Sequence, residues 1–439
     1  MKGLRVVAAA AALIVAAVPE AVTRASAGDD GCAPRDTRVA VSYAISGYWL
    51  VPRSDPCVTR RTVEAIHRIG GDTLVTFGAR LAPGRDPEVD CPGCYQTGRK
   101  VRRVYTYVTS EQFGPGLLRC PGERRFERDG RTYYQLLLGR SCTKGPVDLV
   151  LVVSDGDGLG NLMTEADGYG MKVYPGLPAA PQDPAKPWLP DPRHTSAVAA
   201  FTGRVLADYR QRFAGVKAFA GVYQSFELTV KARPAKDPTI GLYRAQHAQV
   251  AATLPGTRLL VSPYIDARRG PGFPPGQVGQ GLAELAGTRA GLPMTVAVQD
   301  GRGTGKVGVY DPAEVDARVD PRVTPIVGNV TNRQAYYGST GDYYAAAARA
   351  IPPGVELWAN VEAFEPTPVP GDCGRADPLP LRGRPTKARL DRQIAAARPY
   401  VSKIISYGWD PFMTCQPGVG RPSVADDIVS TVSRSAPPR

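Results

Sequence analysis

Two glutamates stand where apolar strands should end. In ELWANVEAFEP, residues 356–366, strand alternation puts Val355, Leu357, Ala359 and Val361 on one side, and Trp358, Asn360 and Glu362 on the other. Desolvating a carboxylate costs several kcal/mol, so a buried strand holds one for a reason. In KAFAGVYQSFELTV, residues 217–230, the same alternation aligns Phe219, Gly221, Tyr223, Ser225 and Glu227. Two carboxylates brought together can cleave a glycosidic bond. One donates a proton to the leaving oxygen, and the other attacks the sugar carbon or activates water. Carboxyl groups ~5–5.5 Å apart imply retention of configuration, and ~6.5–9.5 Å implies inversion. Tyr223, Trp358, Tyr407 and Trp409 offer aromatic faces to a sugar, while Gln299, Asp300 and Asn360 offer hydrogen bonds to hydroxyls. Glu365 reads as a loop or substrate-contact carboxylate.

Positioning two such groups from distant segments needs a repeated scaffold. Short β-branched or apolar runs at 39–43, 73–77, 172–175, 217–223, 258–261, 294–298, 355–361 and 403–407 read as strands. Amphipathic stretches at 60–69, 159–169, 196–213, 242–254, 277–290, 343–351 and 387–401 read as the helices between them, with Thr195 capping the third. Eight strands with one helix per gap is the count of a (β/α)8 TIM barrel, whose active sites gather at the carboxyl ends of the strands. By this count Glu227 closes strand four and Glu362 closes strand seven. Residues 83–146 break the repeat after strand two. They are polar, Arg- and Cys-rich, and VRRVYTYV and RTYYQLLL suggest a β-hairpin insertion, with VDLVLVV as its last strand. The barrel is expected over 28–418 and a fraying tail over 419–439.

The first 27 residues read as an export signal. Lys2 and Arg5 precede an apolar run, and Ala25-Ser26-Ala27 is a small-x-small cleavage site. No segment reaches the roughly 20 apolar residues of a membrane span. A secreted, extracellular protein is expected, and its eight cysteines then read as disulfides. Cys373 and Cys415 fall in the loops after strands seven and eight, Cys32 and Cys57 flank strand one, and Cys120 and Cys142 bracket an arm of the insertion. Cys91-Pro-Gly-Cys94 is open to three readings: a local disulfide, a redox pair or half of a metal site. The formal charge of +13 is compatible with an anionic polymer as partner and with coding bias toward Arg. Nucleic acid is not expected, because no reading motif or dense basic helix occurs.

AISGYWLVP, VAVQDGRGTG and ELWANVEAFEP together resemble an uncharacterised bacterial TIM-barrel family grouped with the two-Glu glycoside hydrolases. The resemblance spans about 40–411, interrupted by the insertion. It implies a barrel and glycosidase activity, and by position it carries over Gln299, Asp300, Gly301, Asn360, Glu362 and Glu365. The chain departs from two-Glu barrels at Ser225-Phe226-Glu227, where they have Asn directly before the strand-four acid.

Other chemistries find little support. GRGTGK lacks phosphate-loop spacing, and DGDGLGN lacks the closing Glu of a calcium loop. The three His are scattered, and there is no G-x-S-x-G. No cofactor or resident metal is expected. Duller roles exist for the candidates themselves: Glu362 in an ion pair, Gln299-Asp300-Gly301 as a turn, and Trp358 as barrel filling. The leading expectation is a secreted glycosidase acting on an extracellular poly- or oligosaccharide, with Glu227 as acid/base and Glu362 as nucleophile. The alternative is a non-catalytic carbohydrate-binding barrel.

Overall fold

The computed structural model describes residues 31–89, 91–308, 310–366, 373 and 382–435. The expected export signal lies outside them. Residues 31–33 carry no regular element, and every described strand and helix belongs to the compact unit from Pro34 onward.

Eight parallel strands form one sheet: β1 (Ile45–Leu50), β2 (Thr73–Thr76), β3 (Lys172–Tyr174), β4 (Gly221–Tyr223), β5 (Arg258–Val261), β6 (Met294–Gln299), β7 (Val355–Glu362) and β8 (Lys403–Tyr407). Their order runs β4-β5-β6-β7-β8-β1-β2-β3. The ring closes between β3 and β4, where Ala220 N–H donates to Val173 O at 3.1 Å and Tyr223 N–H to Pro175 O at 2.8 Å. This is a (β/α)8 barrel. Each strand sends one side chain into the same interior cluster: Trp49, Val75, Tyr174, Tyr223, Leu260, Ala297, Trp358 and Ile405. The opposite faces pack under α1 (Pro56–Arg68), α2 (Gly158–Gly168), α3 (Thr195–Phe213), α4 (Pro238–Thr253), α5 (Val278–Ala286), α6 (Thr340–Ala350) and α7 (Lys387–Ala397).

Local chemistry starts these helices. Asp55 and Asp237 accept backbone N–H bonds at the heads of α1 and α4, each followed by Pro at the first helical position. Ser339 and Asp342 form a capping box on α6. Thr195 is not a cap but the first residue of α3; the 3-10 turn before it is capped by Asp191.

The first strand differs from expectation. Residues 39–43 alternate like a strand, and Val41 and Tyr43 are buried. However, the N–H groups of Ala40 and Tyr43 donate to Arg68 O and Ile69 O, so the segment covers the C-terminal end of α1. The strand is instead Ile45–Leu50, within AISGYWLVP. Gly47 permits it, since a Cβ there would meet Ile405 Cγ2 at 2.5 Å. The tail differs too: Val424–Ser435 forms a further helix, α8, which buries Val424 and Ile428 in the core. Ser423 and Asp426 bond reciprocally at its head.

Between β2 and α2 the insertion builds its own five-stranded sheet. Arg124–Arg128 and Arg131–Leu138 make a hairpin, and Val147–Ser154 pairs with its second arm. Val101–Thr109 joins Val147–Ser154 in parallel, so the two runs read as hairpin partners are separated by a third strand. Val147–Ser154 is buried throughout, which the apolar run Leu149–Val153 anticipates. Cys91–Cys94, Cys120–Cys142 and Cys373–Cys415 are disulfides, and Cys32 and Cys57 are disulfide-bonded as well.

Candidate active site

The carboxyl end of the barrel opens into a cavity of about 380 Å³. Glu227, Gln299, Glu362 and Tyr407 line it, together with Thr304, Lys306, Tyr264, Phe77 and Trp188, which sequence reasoning did not select.

Glu362 is the last residue of β7 and pairs in register with Tyr407 of β8. Only 3% exposed, it uses Oε2 to accept the Thr304 N–H at 2.8 Å and the Thr304 hydroxyl at 3.3 Å. Oε1 accepts no hydrogen bond from the described residues. Glu227 lies four residues past β4. Its Oε1 accepts from Gln299 Nε2 at 2.8 Å and from the Tyr223 hydroxyl at 3.5 Å. Gln299 is fixed in turn, because the same Nε2 donates to Ser262 O at 2.8 Å.

Burial, reinforced by the charge of Glu362, pushes the Glu227 carboxyl up to about 7, although the Gln299 bond pulls it down. Burial also raises Glu362, opposed by Lys306 and by the Thr304 N–H. Lys306, with its ammonium 3.8 Å from the Tyr264 ring centroid, interacts electrostatically with both carboxylates, while burial lowers its own pKa. The cavity thus holds two acids of unlike surroundings, with Lys306 acting on both. Arg382 also lines the cavity, its guanidinium 4.6 Å from the Phe364 ring centroid, and its charge favours the carboxylate form of Glu362. Trp188, on a hairpin loop between β3 and α3, is 67% exposed at the rim.

The other expected residues do not line the cavity. Along β7, Trp358, Asn360 and Glu362 climb one inward face in steps of ~7 Å, and only the last reaches the mouth. Trp358 fills the barrel interior, edge-on to Tyr174. Asn360 is fully buried one level up, donating to Ser262 Oγ at 2.9 Å. Tyr223 also fills the interior, edge-on to Trp49, and reaches the site only through its hydroxyl. Trp409 is buried against Tyr48. Asp300 lies behind Glu362, accepting from Gln393 Nε2 at 2.7 Å and from the Arg302 and Glu362 N–H groups. Burial and the charge of Glu362 raise it to about 7. Glu365 is buried in ion pairs with Arg322 and Arg389.

Lys306 and Thr304 belong to GRGTGK, the loop after β6, where barrel position alone was a signal that they could serve a site. Ser225, two residues before Glu227, is consumed structurally. It accepts from Gly78 N–H at 2.9 Å and donates to Leu177 O at 2.7 Å. Among the described residues no group of three or more His, Cys, Asp or Glu could hold a metal, and no helix is long and apolar enough to cross a membrane.

Residues 143–419 match the family described as "Domain of unknown function (DUF4434)". The chain is also similar to solved structures. One is described as a "putative alpha-L-fucosidase" from Bacteroides thetaiotaomicron VPI-5482, with 16% identity, 92% of this chain and 97% of that one covered, and a TM-score of 0.49. Another is an exo-beta-1,4-mannosidase from Opitutaceae bacterium strain TAV5, with 11% identity, 90% and 60% coverage, and a TM-score of 0.40. A third is a GH18 chitinase from Pseudoalteromonas aurantia, with 7% identity, 89% and 100% coverage, and a TM-score of 0.38. No curated protein sequence matches the chain.

Proposed function

The chain belongs to the DUF4434 family, and we propose that it is a glycoside hydrolase that works with retention of configuration. The observation that carries this reading is the pair Glu227 and Glu362, from the loop after β4 and the end of β7, lining one cavity with Lys306. In the proposed reaction Glu362 Oε1 attacks the anomeric carbon. The glycosidic C–O bond breaks, and Glu227 gives its proton to the departing oxygen. Water then attacks the glycosyl ester, loses a proton to Glu227, and frees Glu362. A Glu227 carboxyl raised to about 7 keeps the acid form available at neutral pH. Lys306 and the Thr304 N–H favour the carboxylate form of Glu362, which the attack needs. Trp188, Tyr407 and Phe77 supply apolar faces for sugar CH groups, and Gln299 and Lys306 supply donors for hydroxyls.

The same proposal sets the reaction outside the cell: residues 1–27 read as an export signal, and no described cysteine is free. The test is a screen of aryl glycosides and oligosaccharides with the mature chain, reading product anomer by NMR. Hydrolysis that Glu362→Gln abolishes while glycan binding persists supports the reading. Turnover unchanged in that variant, or an inverted first product, overturns it.

A further inference from the structure

A second and larger cavity, about 570 Å³, lies away from the barrel mouth, where the insertion meets α3 and α4. Arg119 and Arg140 line it from the insertion and Arg210 from α3. Arg119 directly precedes Cys120, and Arg140 stands two residues before Cys142. The Cys120–Cys142 disulfide, with Cα atoms 5.0 Å apart, therefore holds two guanidinium-bearing segments side by side against their repulsion. None of the three side chains has a carboxylate or hydrogen-bond partner among the described residues. The nearby acid is already committed. Glu123 accepts Arg204 at 2.8 and 3.0 Å and the N–H groups of Arg119, Cys120 and Leu137, and Arg204 forms part of the cavity wall. Among the described residues no acidic and no aromatic side chain lines the cavity.

A cleft that gathers unpaired guanidinium groups and excludes carboxylates is built for oxyanions, which Arg binds through paired N–H donors. Its volume is that of a site for an extended ligand rather than a lone ion. The missing aromatics remove the stacking platform that a single-stranded nucleic acid or a neutral sugar would use. We propose that this cleft binds a segment of an acidic polysaccharide through its carboxylate, sulfate or phosphate groups. It is separate from the barrel mouth, and the proposal does not depend on the glycosidase reading.

The test uses the mature chain carrying Glu362→Gln, so that no polymer is consumed, in calorimetric titrations with dextran sulfate, polygalacturonate and polyphosphate. Neutral dextran and a single-stranded oligonucleotide serve as contrasts. The triple change Arg119→Ser, Arg140→Ser, Arg210→Ser is compared with Arg61→Ser, Arg131→Ser, Arg349→Ser, which removes the same charge from outside the cleft. We expect the cleft variant to lose at least about tenfold in affinity for dextran sulfate or polygalacturonate, ~1.4 kcal/mol, and the control less than about twofold. Arg210→Gln alone, on the opposite wall, should cost about threefold and serves if the triple variant folds poorly. Equal losses in both triple variants, absence of saturable binding, or neutral dextran binding as tightly as the acidic polymers would overturn the proposal. A matching loss confined to polyphosphate or to the oligonucleotide would overturn the polysaccharide assignment and give the cleft to a phosphate polymer or to nucleic acid instead.

Discussion

At the scale of single residues, the cavity separates two carboxyls by their surroundings. Glu227 is held by an amide and a phenol, whereas Glu362 faces Lys306 and a backbone N–H. In the proposed roles, Glu362→Gln should lower kcat by more than ~10³-fold, and Glu227→Gln by ~10²–10⁴-fold, least for substrates with good leaving groups. The pH–rate profile should fall on its alkaline side near pH 7, as Glu227 loses the proton it must donate. Lys306 lowers the pKa of both glutamates, so Lys306→Met should move both limbs of that profile upward. An alkaline limb that stays put in this variant would separate Lys306 from the acid. Glu362 was legible because alternation exposes a carboxylate on an apolar strand, and Glu227 because it follows such a run, although it stands in the loop beyond β4. Lys306 was not, because a lysine in a glycine-rich loop looks the same whether it points to solvent or to a site.

At the scale of elements, the loops that carry the site are packed backbone to backbone. A Cβ on Gly78 would lie 1.8 Å from Leu177 O, and Ser225 Oγ stitches these two loops to the one after β4. Gly78→Ala should therefore cost more than ~2 kcal/mol in urea unfolding, and Ser225→Ala about 1–3 kcal/mol by stranding buried partners. The seat of the insertion on α3 is pH-sensitive. Burial raises Glu111 to about 7 and Asp208 to about 6; Tyr209 donates to Glu111 at 2.8 Å, while Arg212 approaches Asp208 only to 3.6 Å. The folded state thus holds these protons more tightly than the unfolded chain. The contribution of these two groups to stability should be fully present near pH 4 and be lost as pH rises toward 7, by up to about 3 kcal/mol for each group. Asp208→Asn should flatten that slope in thermal melts. A slope unchanged by this substitution would show that the carboxylate is not its source.

At the scale of the whole molecule, disulfides bind segments that the barrel leaves apart. Cys373–Cys415 ties the loop after β7 to the loop after β8 across 42 residues of chain. Replacing both cysteines by Ser should lower stability by about 4 kcal/mol, read as a fall in the urea midpoint at constant slope. The charge of +13 is likewise uneven in its use. Many arginines are spent in ion pairs, such as Arg35 and Arg60 on Glu165, and those left unpaired in a cleft are the ones that can serve a partner.

Alternation and helix periodicity were enough to give seven of the eight strands, their intervening helices and two acids toward the carboxyl ends of strands, although Glu227 stands in the loop after β4 and not on the strand. These are local properties, because a period of two or of 3.6 residues is written in neighbouring side chains. Residues 39–43 show the limit: the same alternation serves a strand or a segment crossing a helix end, and only the partner of each N–H distinguishes them. Trp358, Asn360 and Glu362 share one face in the sequence, yet height along β7 decides that one fills the barrel, one braces Ser262 and one lines the cavity. That height, the burial that raises Glu227, and the meeting of Arg119 and Arg140 with Arg210 depend on ring closure and chain crossings over long separations, which no local pattern encodes.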